Sequence, residues 1–142
     1  MSFQNQFTKT TTDANLMETV HHGSAEYPFR YYYENIALFD FKCIDWHWHS
    51  ELEFIYIESG NVVFDIGTVH FELNEGNGIM INSKILHRLQ SSSDAIIPNF
   101  LFQPSFIAPQ DSLIYKKYIN PVISSSLEYL FSTRYSLAEK SS

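Results

Sequence analysis

Between Tyr27 and Phe102 the chain is cut by turn signals into short runs rich in aromatic and β-branched residues. Ser59-Gly60-Asn61, Gly67-Thr68, Asn74-Glu75-Gly76-Asn77-Gly78, Asn82-Ser83-Lys84 and Ser91-Ser92-Ser93-Asp94 separate runs too short for ordinary helices. Strands are expected at 27–33, 36–41, 43–46, 52–58, 62–66, 69–73, 79–81, 85–89 and 95–102. Pro28 confines the first to an edge, and Pro98 interrupts the last. Val69, Phe71 and Leu73 alternate with His70 and Glu72, a half-buried pattern that turns His70 to solvent. Twelve Phe and nine Tyr against five Gly suit pleated surfaces. The pattern is all-β, closed as a sandwich or barrel.

Past Gln103 the pattern changes. Asp111 or Ser112 can cap a helix from Leu113 to Asn120, and Pro121 is expected to end it. Leu113, Ile114 and Tyr118, with Tyr115 and Ile119 less cleanly, give it an apolar side. Leu127–Phe131 is a second short apolar segment, so one or two short C-terminal α-helices are expected. Residues 1–15 are polar and without periodicity, a flexible lead-in. The expected division is therefore a lead-in at 1–15, a β-barrel at 16–104 and a C-terminal helical segment at 105–142. At 142 residues, this is one domain.

The formal charge of −7 makes direct contact with DNA phosphates or anionic lipid unfavourable. The single cysteine, Cys43, excludes an intrachain disulfide, and its apolar neighbours suggest a buried thiol. The first residues lack the apolar core of a secretory signal, and no run approaches the ~20 apolar residues of a membrane helix. The expectation is a soluble, cytoplasmic protein with no membrane partner.

The chemistry concentrates in His47-Trp48-His49-Ser50-Glu51-Leu52-Glu53, a run closed by Gly60. On a strand, residues i and i+2 share a face, so His47 and His49 project together while Trp46 and Trp48 point away. A turn near Ser50-Glu51 puts Glu53 on the next strand, and His87 follows an apolar strand further on. Imidazoles and a carboxylate converging on one point suit a divalent Zn, Fe, Ni or Mn ion. The alternative is a set of hydrogen-bonded barrel histidines that bind nothing. His21 and His22 are adjacent and cannot share a strand face, so they are not counted as a ligand pair.

The spacing His47-x-His49-x-x-x-Glu53-x-x-x-x-x-x-Gly60 resembles the first motif of the cupin superfamily. Gly76 and His87 match the second motif, while Phe41, Asn82 and Lys84 replace a usual glycine, proline and glycine. With 18–23, Tyr27-Pro28-Phe29, Tyr31-Tyr32-Tyr33, 76–83 and 114–121, the chain resembles the N-terminal sensor domain of AraC-type transcription regulators from about Leu16 to Pro121. The resemblance implies a cupin double-stranded β-helix, or jelly roll. It implies a small effector in the barrel, often a carbohydrate, contacted by His47, His49, Glu53 and His87 and stacked on inward aromatics such as Tyr56 or Phe64. It also implies a homodimer, with DNA read by helix-turn-helix units that lie outside this sequence, and no catalysis. Two other functions compete with it. One is a metal-dependent cupin enzyme, an isomerase or dioxygenase, for which the four metal-type ligands argue. The other is a structural dimeriser with an inert barrel.

Overall fold

The computed structural model describes residues 9–24 and 26–132. Two antiparallel sheets face each other. One is ordered β1 (Phe29–Asn35), β8 (Ile96–Phe102), β3 (Leu52–Tyr56), β6 (Gly78–Ile81), β9 (Tyr129–Ser132). The other is ordered β2 (Cys43–His47), β7 (His87–Gln90), β4 (Asn61–Ile66), β5 (Val69–Asn74). This is the expected all-β jelly roll. Inward residues of both sheets build one apolar core of Ile55, Ile57, Val62, Phe64, Ile66, Ile79, Ile81, Leu89 and Ile97 with their neighbours. Burying each of these side chains contributes roughly 1.5–3 kcal/mol. Leu89 and Ile97 of this core also line the polar site described below.

Gly60 turns β3 into β4 at φ 84°, where a Cβ would sit 2.5 Å from the Asp94 carbonyl oxygen. Its place in the motif is thus a close backbone approach. His70 faces outward as expected, its side chain 68% exposed and bonded to Asp65. Cys43 is half-buried. Tyr31, Phe100, Phe54, Met80 and Leu130 are register partners in one apolar row across the outer face of the five-stranded sheet.

Four expectations are corrected. Residues 36–41 are not a strand but two 3-10 turns, Ile36–Leu38 and Asp40–Lys42. The Asn35 side chain accepts from the Ala37 N–H and starts the first turn, and Phe41 and Lys42 take positive φ in the second. The second apolar segment is not a helix. Residues 129–132 form β9, whose Tyr129 and Phe131 pack against Phe71 of the opposite sheet. The barrel therefore takes a strand from beyond residue 104. Pro121 does not end the first helix. Ser112 caps it through the Tyr115 N–H, a π-helical turn at Tyr115–Ile119 follows, and α1 (Asn120–Ile123) carries Pro121. The Asn120 N–H bonds back to the Tyr115 carbonyl, and this widened turn accommodates a proline ring that a regular α-turn would exclude.

Finally, residues 9–15, expected within a flexible lead-in, are tied to β2. Thr10 Oγ1 accepts from the Asp45 N–H, and the Asn15 carbonyl accepts from the Trp48 indole. Residues 1–8 lie outside the described residues.

Candidate metal and effector site

β2 ends on His47, and the chain turns through Trp48–Glu51 into β3. The turn is clamped from the other side. The Lys84 N–H donates to the His49 carbonyl at 2.8 Å, and the Ser83 hydroxyl donates to the Ser50 carbonyl at 2.6 Å. Lys84 does this at φ 63°, the conformation for which the second cupin motif uses glycine. His47 and His87 are register partners across β2 and β7, and Glu53 lies inward on β3. The structure thus brings together all four ligands proposed from spacing. All are buried, and one donor atom from each lies within 4.8 Å of the others.

The histidine tautomers follow from their second partners. Nδ1 of His47 lies 2.7 Å from the Asp45 carbonyl, Nδ1 of His49 3.1 Å from that of Glu51, and Nδ1 of His87 2.7 Å from that of Ile85. A carbonyl only accepts, so each Nδ1 carries a proton and each neutral ring presents its Nε2 lone pair to the centre. Glu53 Oε1 lies 3.1 Å from His49 Nε2 and 3.2 Å from His87 Nε2. Three lone pairs and a carboxylate facing one point repel one another unless positive charge sits between them, as protons or as a metal ion. Two donors each about 2.1 Å from an ion stand roughly 3.0–4.2 Å apart, and both measured separations fall in that interval. The residues fit a divalent ion of the Zn, Fe, Ni or Mn type.

Without an ion, protons do this work. Burial lowers the affinity of His49 for a proton, but the hydrogen bond and charge of Glu53 outweigh it and push its pKa up to about 9. Burial alone would raise Glu53, yet its bonds to His49 and His87 hold it well below the usual carboxylate range. His47 is held well below the ordinary histidine value by burial, then by the charges of His87 and His49. One imidazole is charged and its neighbour neutral, as a shared proton between close bases requires.

Two residues beside the cluster were not proposed from the sequence. Glu18 is placed by Glu18 N–H donating to the Trp48 carbonyl and Trp48 N–H to that of Leu16. Its Oε1 lies 2.7 Å from His22 Nε2, and its Oε2 lies 3.7 Å from His47 Nε2. His22 Nδ1 in turn lies 2.7 Å from the Tyr32 hydroxyl. These groups line a cavity of about 50 Å³ that opens outward. The N-terminal residues Lys9, Thr10 and Thr11 lie at its edge, and Glu34, Asn99, Ile97 and Leu101 line it from β1 and β8. Burial pushes the Glu34 carboxyl up to about 7, against the Asn99 hydrogen bond.

Two proposed contacts are corrected. Tyr56 does not point inward. Glu53 and Ile55 face the interior on β3, so strand alternation turns Phe54 and Tyr56 outward, where Tyr56 is 41% exposed. Phe64 points inward but is fully buried in the apolar core, stacked on Phe71, and does not line this cavity.

Residues 38–108 match the AraC-like ligand binding domain family. The chain is similar to the uncharacterized HTH-type transcriptional regulator YdeC of Bacillus subtilis (strain 168), 34% identical over 122 residues. That alignment takes in 84% of this chain and 41% of the relative, so the chain spans well under half the relative's length. Its backbone also resembles two solved structures. A cupin-2 domain containing protein from Shewanella frigidimarina is 13% identical, covering 54% of this chain and 72% of that one, with TM-score 0.47. A predicted oxalate decarboxylase from Thermotoga maritima is 20% identical, covering 43% and 56%, with TM-score 0.41. Likenesses of this extent carry no statement about ligand or reaction. On the family match, which spans half the sequence and includes all four clustered ligands, the chain belongs to the AraC-like ligand binding domain family.

Proposed function

We propose that this chain is the effector-sensing and dimerising part of an AraC-type transcription regulator, with a small effector held in the cavity between the N-terminal residues and the His/Glu cluster. The observation that carries this reading is the cavity itself. It is partly closed, and buried hydrogen-bonding groups and aliphatic side chains both line it, the usual make-up of a small-molecule site. Reading of DNA would fall to the rest of such a regulator, in the cytoplasm, because a net charge of −7 disfavours contact between this domain and phosphates. Among the described residues no helix is long and apolar enough to cross a membrane.

His47, His49, Glu53 and His87 would hold a divalent ion. When bound, such an ion would supply positive charge toward an oxygen or nitrogen of the effector. The chain's own part is to fix the three rings through their Nδ1–H bonds. A carbohydrate would find hydrogen-bonding partners here, but not the stacking on Tyr56 and Phe64 that was expected. Thermal-shift measurements against sugars, amines and organic acids test the reading. A compound that raises Tm in the wild type and loses its effect in the cavity-filling variant Ile97→Phe supports it. Hits that keep their full effect in that variant contradict it.

The second reading, a metal-dependent isomerase or dioxygenase, draws on one further observation. The run Tyr32–His22–Glu18 ends beside His47 and gives the centre a buried route for protons. Turnover by metal-loaded protein in oxygen-uptake or sugar-isomerisation assays, abolished by Glu18→Gln, would favour it. Metal-loaded protein that is inert in both assays would count against it.

A further inference from the structure

The inward positions on β8 run Leu101, Asn99, Ile97, and Leu101 is the register partner of Glu53. Asn99 therefore stands one inward step beyond the cluster, about 7 Å along the strand. It is 4% exposed, and its partner Glu34 on β1 is 6% exposed. The Asn99 amide spends both its protons, donating to Glu34 Oε1 at 2.8 Å and to the Ile97 carbonyl at 2.9 Å. Since both partners accept, the orientation of the amide is fixed. Asn99 Oδ1 and Glu34 Oε2 have no hydrogen-bond partner among the described residues, although both side chains line the cavity. Buried acceptors are normally satisfied, and two left open in a cavity call for a donor that the described residues do not supply.

Charge narrows the class of donor. The lining carries three carboxylates, Glu18, Glu34 and Glu53, against one lysine, Lys9, at the edge. A divalent ion on the His/Glu cluster would offset two of the three carboxylates, and Lys9 is paired with Asp40 at 4.0 Å, so one carboxylate charge is left for a cation to meet. An anionic effector would meet carboxylates there. A hydroxyl donates one hydrogen bond, whereas an ammonium donates three and brings the compensating charge. The adjoining walls are aliphatic, formed by Val20, Ile44, Leu89 and Leu101.

We propose that the effector is a primary amine with an apolar body, its ammonium group seated between Asn99 Oδ1 and Glu34 Oε2. The inference rests on the effector-binding reading above and names the chemistry that the cavity selects. It can be tested with three probes that share one body, n-hexylamine, hexan-1-ol and hexanoate, titrated into ¹⁵N-labelled protein. The readouts are the Asn99 side-chain amide cross-peaks and the dissociation constants. Hexylamine is expected to saturate and to shift the Asn99 peaks, binding at least about tenfold tighter than hexan-1-ol. Hexanoate is expected to leave those peaks in place. The isosteric Glu34→Gln should weaken hexylamine about tenfold and leave hexan-1-ol unchanged. The spectrum of the variant shows whether it is folded, and Asn99→Leu serves as a second variant if it is not.

Hexanoate binding as tightly as hexylamine, or hexylamine binding that ignores both substitutions, overturns the amine assignment while leaving an effector cavity in place. If no probe moves any cavity-lining resonance at about 50 mM, a concentration that detects even very weak binding, the amine inference falls, and the effector reading falls with it only if sugars and organic acids leave those resonances in place as well.

Discussion

His49 Nε2 and Glu53 Oε1 lie 3.1 Å apart at the centre of the cluster, and this pair sets how the metal-free domain responds to pH. The His49 pKa is raised from 6.5 to about 9, so its contribution to stability is complete below pH 6.5 and is lost as pH rises through 9. His47 is held well below 6.5 and acts in the opposite sense, losing stability as pH falls below that value. Glu53, held well below 4.5, keeps its contribution until pH falls further still. Glu34, raised from 4.5 to about 7, loses its contribution as pH rises through 7. Metal-free protein should therefore lose stability from neutral pH upward, with His49 alone accounting for on the order of 3 kcal/mol by about pH 9. Urea unfolding in the presence of a chelator measures this, and His49→Gln should flatten the alkaline limb. An alkaline limb as steep in the variant as in the wild type would contradict the assignment.

Asn82 stands where the second cupin motif uses proline, and the structure gives it a task that proline cannot perform. Its side chain donates to the Val122 and Leu127 carbonyls at 3.0 and 2.7 Å, and its N–H donates to the Glu128 carbonyl. These bonds tie the end of α1 and the approach to β9 to the barrel. Asn82→Ala should cost about 1–3 kcal/mol, chiefly by leaving the Leu127 carbonyl short of a donor, since Ser125 still donates to that of Val122. It should also open the chain to proteolysis between 122 and 128. Unchanged stability with an unchanged digestion pattern would show that the segment is held elsewhere.

The C-terminal helix buries Tyr115 and Ile119 against Ala108, while Leu113, Ile114 and Tyr118 stay more than half exposed. This open apolar side is the proposed dimer surface. Tyr118→Glu should weaken self-association roughly 100-fold and shift the sedimentation profile toward monomer. A profile that does not move would dismiss this helix as the interface. Attention would then turn to the row Tyr31, Phe100, Phe54, Met80 and Leu130.

The cluster ligands could be read in the sequence because strand parity and one turn suffice to place His47, His49 and Glu53. Tyr56 could have been placed by the same rule, since Glu53 and Ile55 fix the inward parity of β3 and exclude it. Glu34 and Asn99 also carried a signal, as polar residues at inward parity between apolar ones, though only the closed barrel shows that they meet. His22 and Glu18 were hidden for a different reason. Discounting His21 and His22 as a pair was sound strand geometry, but His22 acts alone, carried inward by a segment that docks on Trp48 through long-range backbone bonds. β9 was missed because its apolar run is short enough to suit either helix or strand, and only its pairing with β6 decides.

The central claim is that the four clustered side chains form a metal site at the base of an effector cavity. Elemental analysis of dialysed protein, purified without a histidine tag, tests it most directly when wild type and His49→Ala are compared. The account predicts close to one equivalent of a divalent metal such as Zn, Fe, Ni or Mn in the wild type and a large loss in the variant. Folded wild type that holds no metal after exposure to each of these ions, or a variant that retains the full amount, would contradict it.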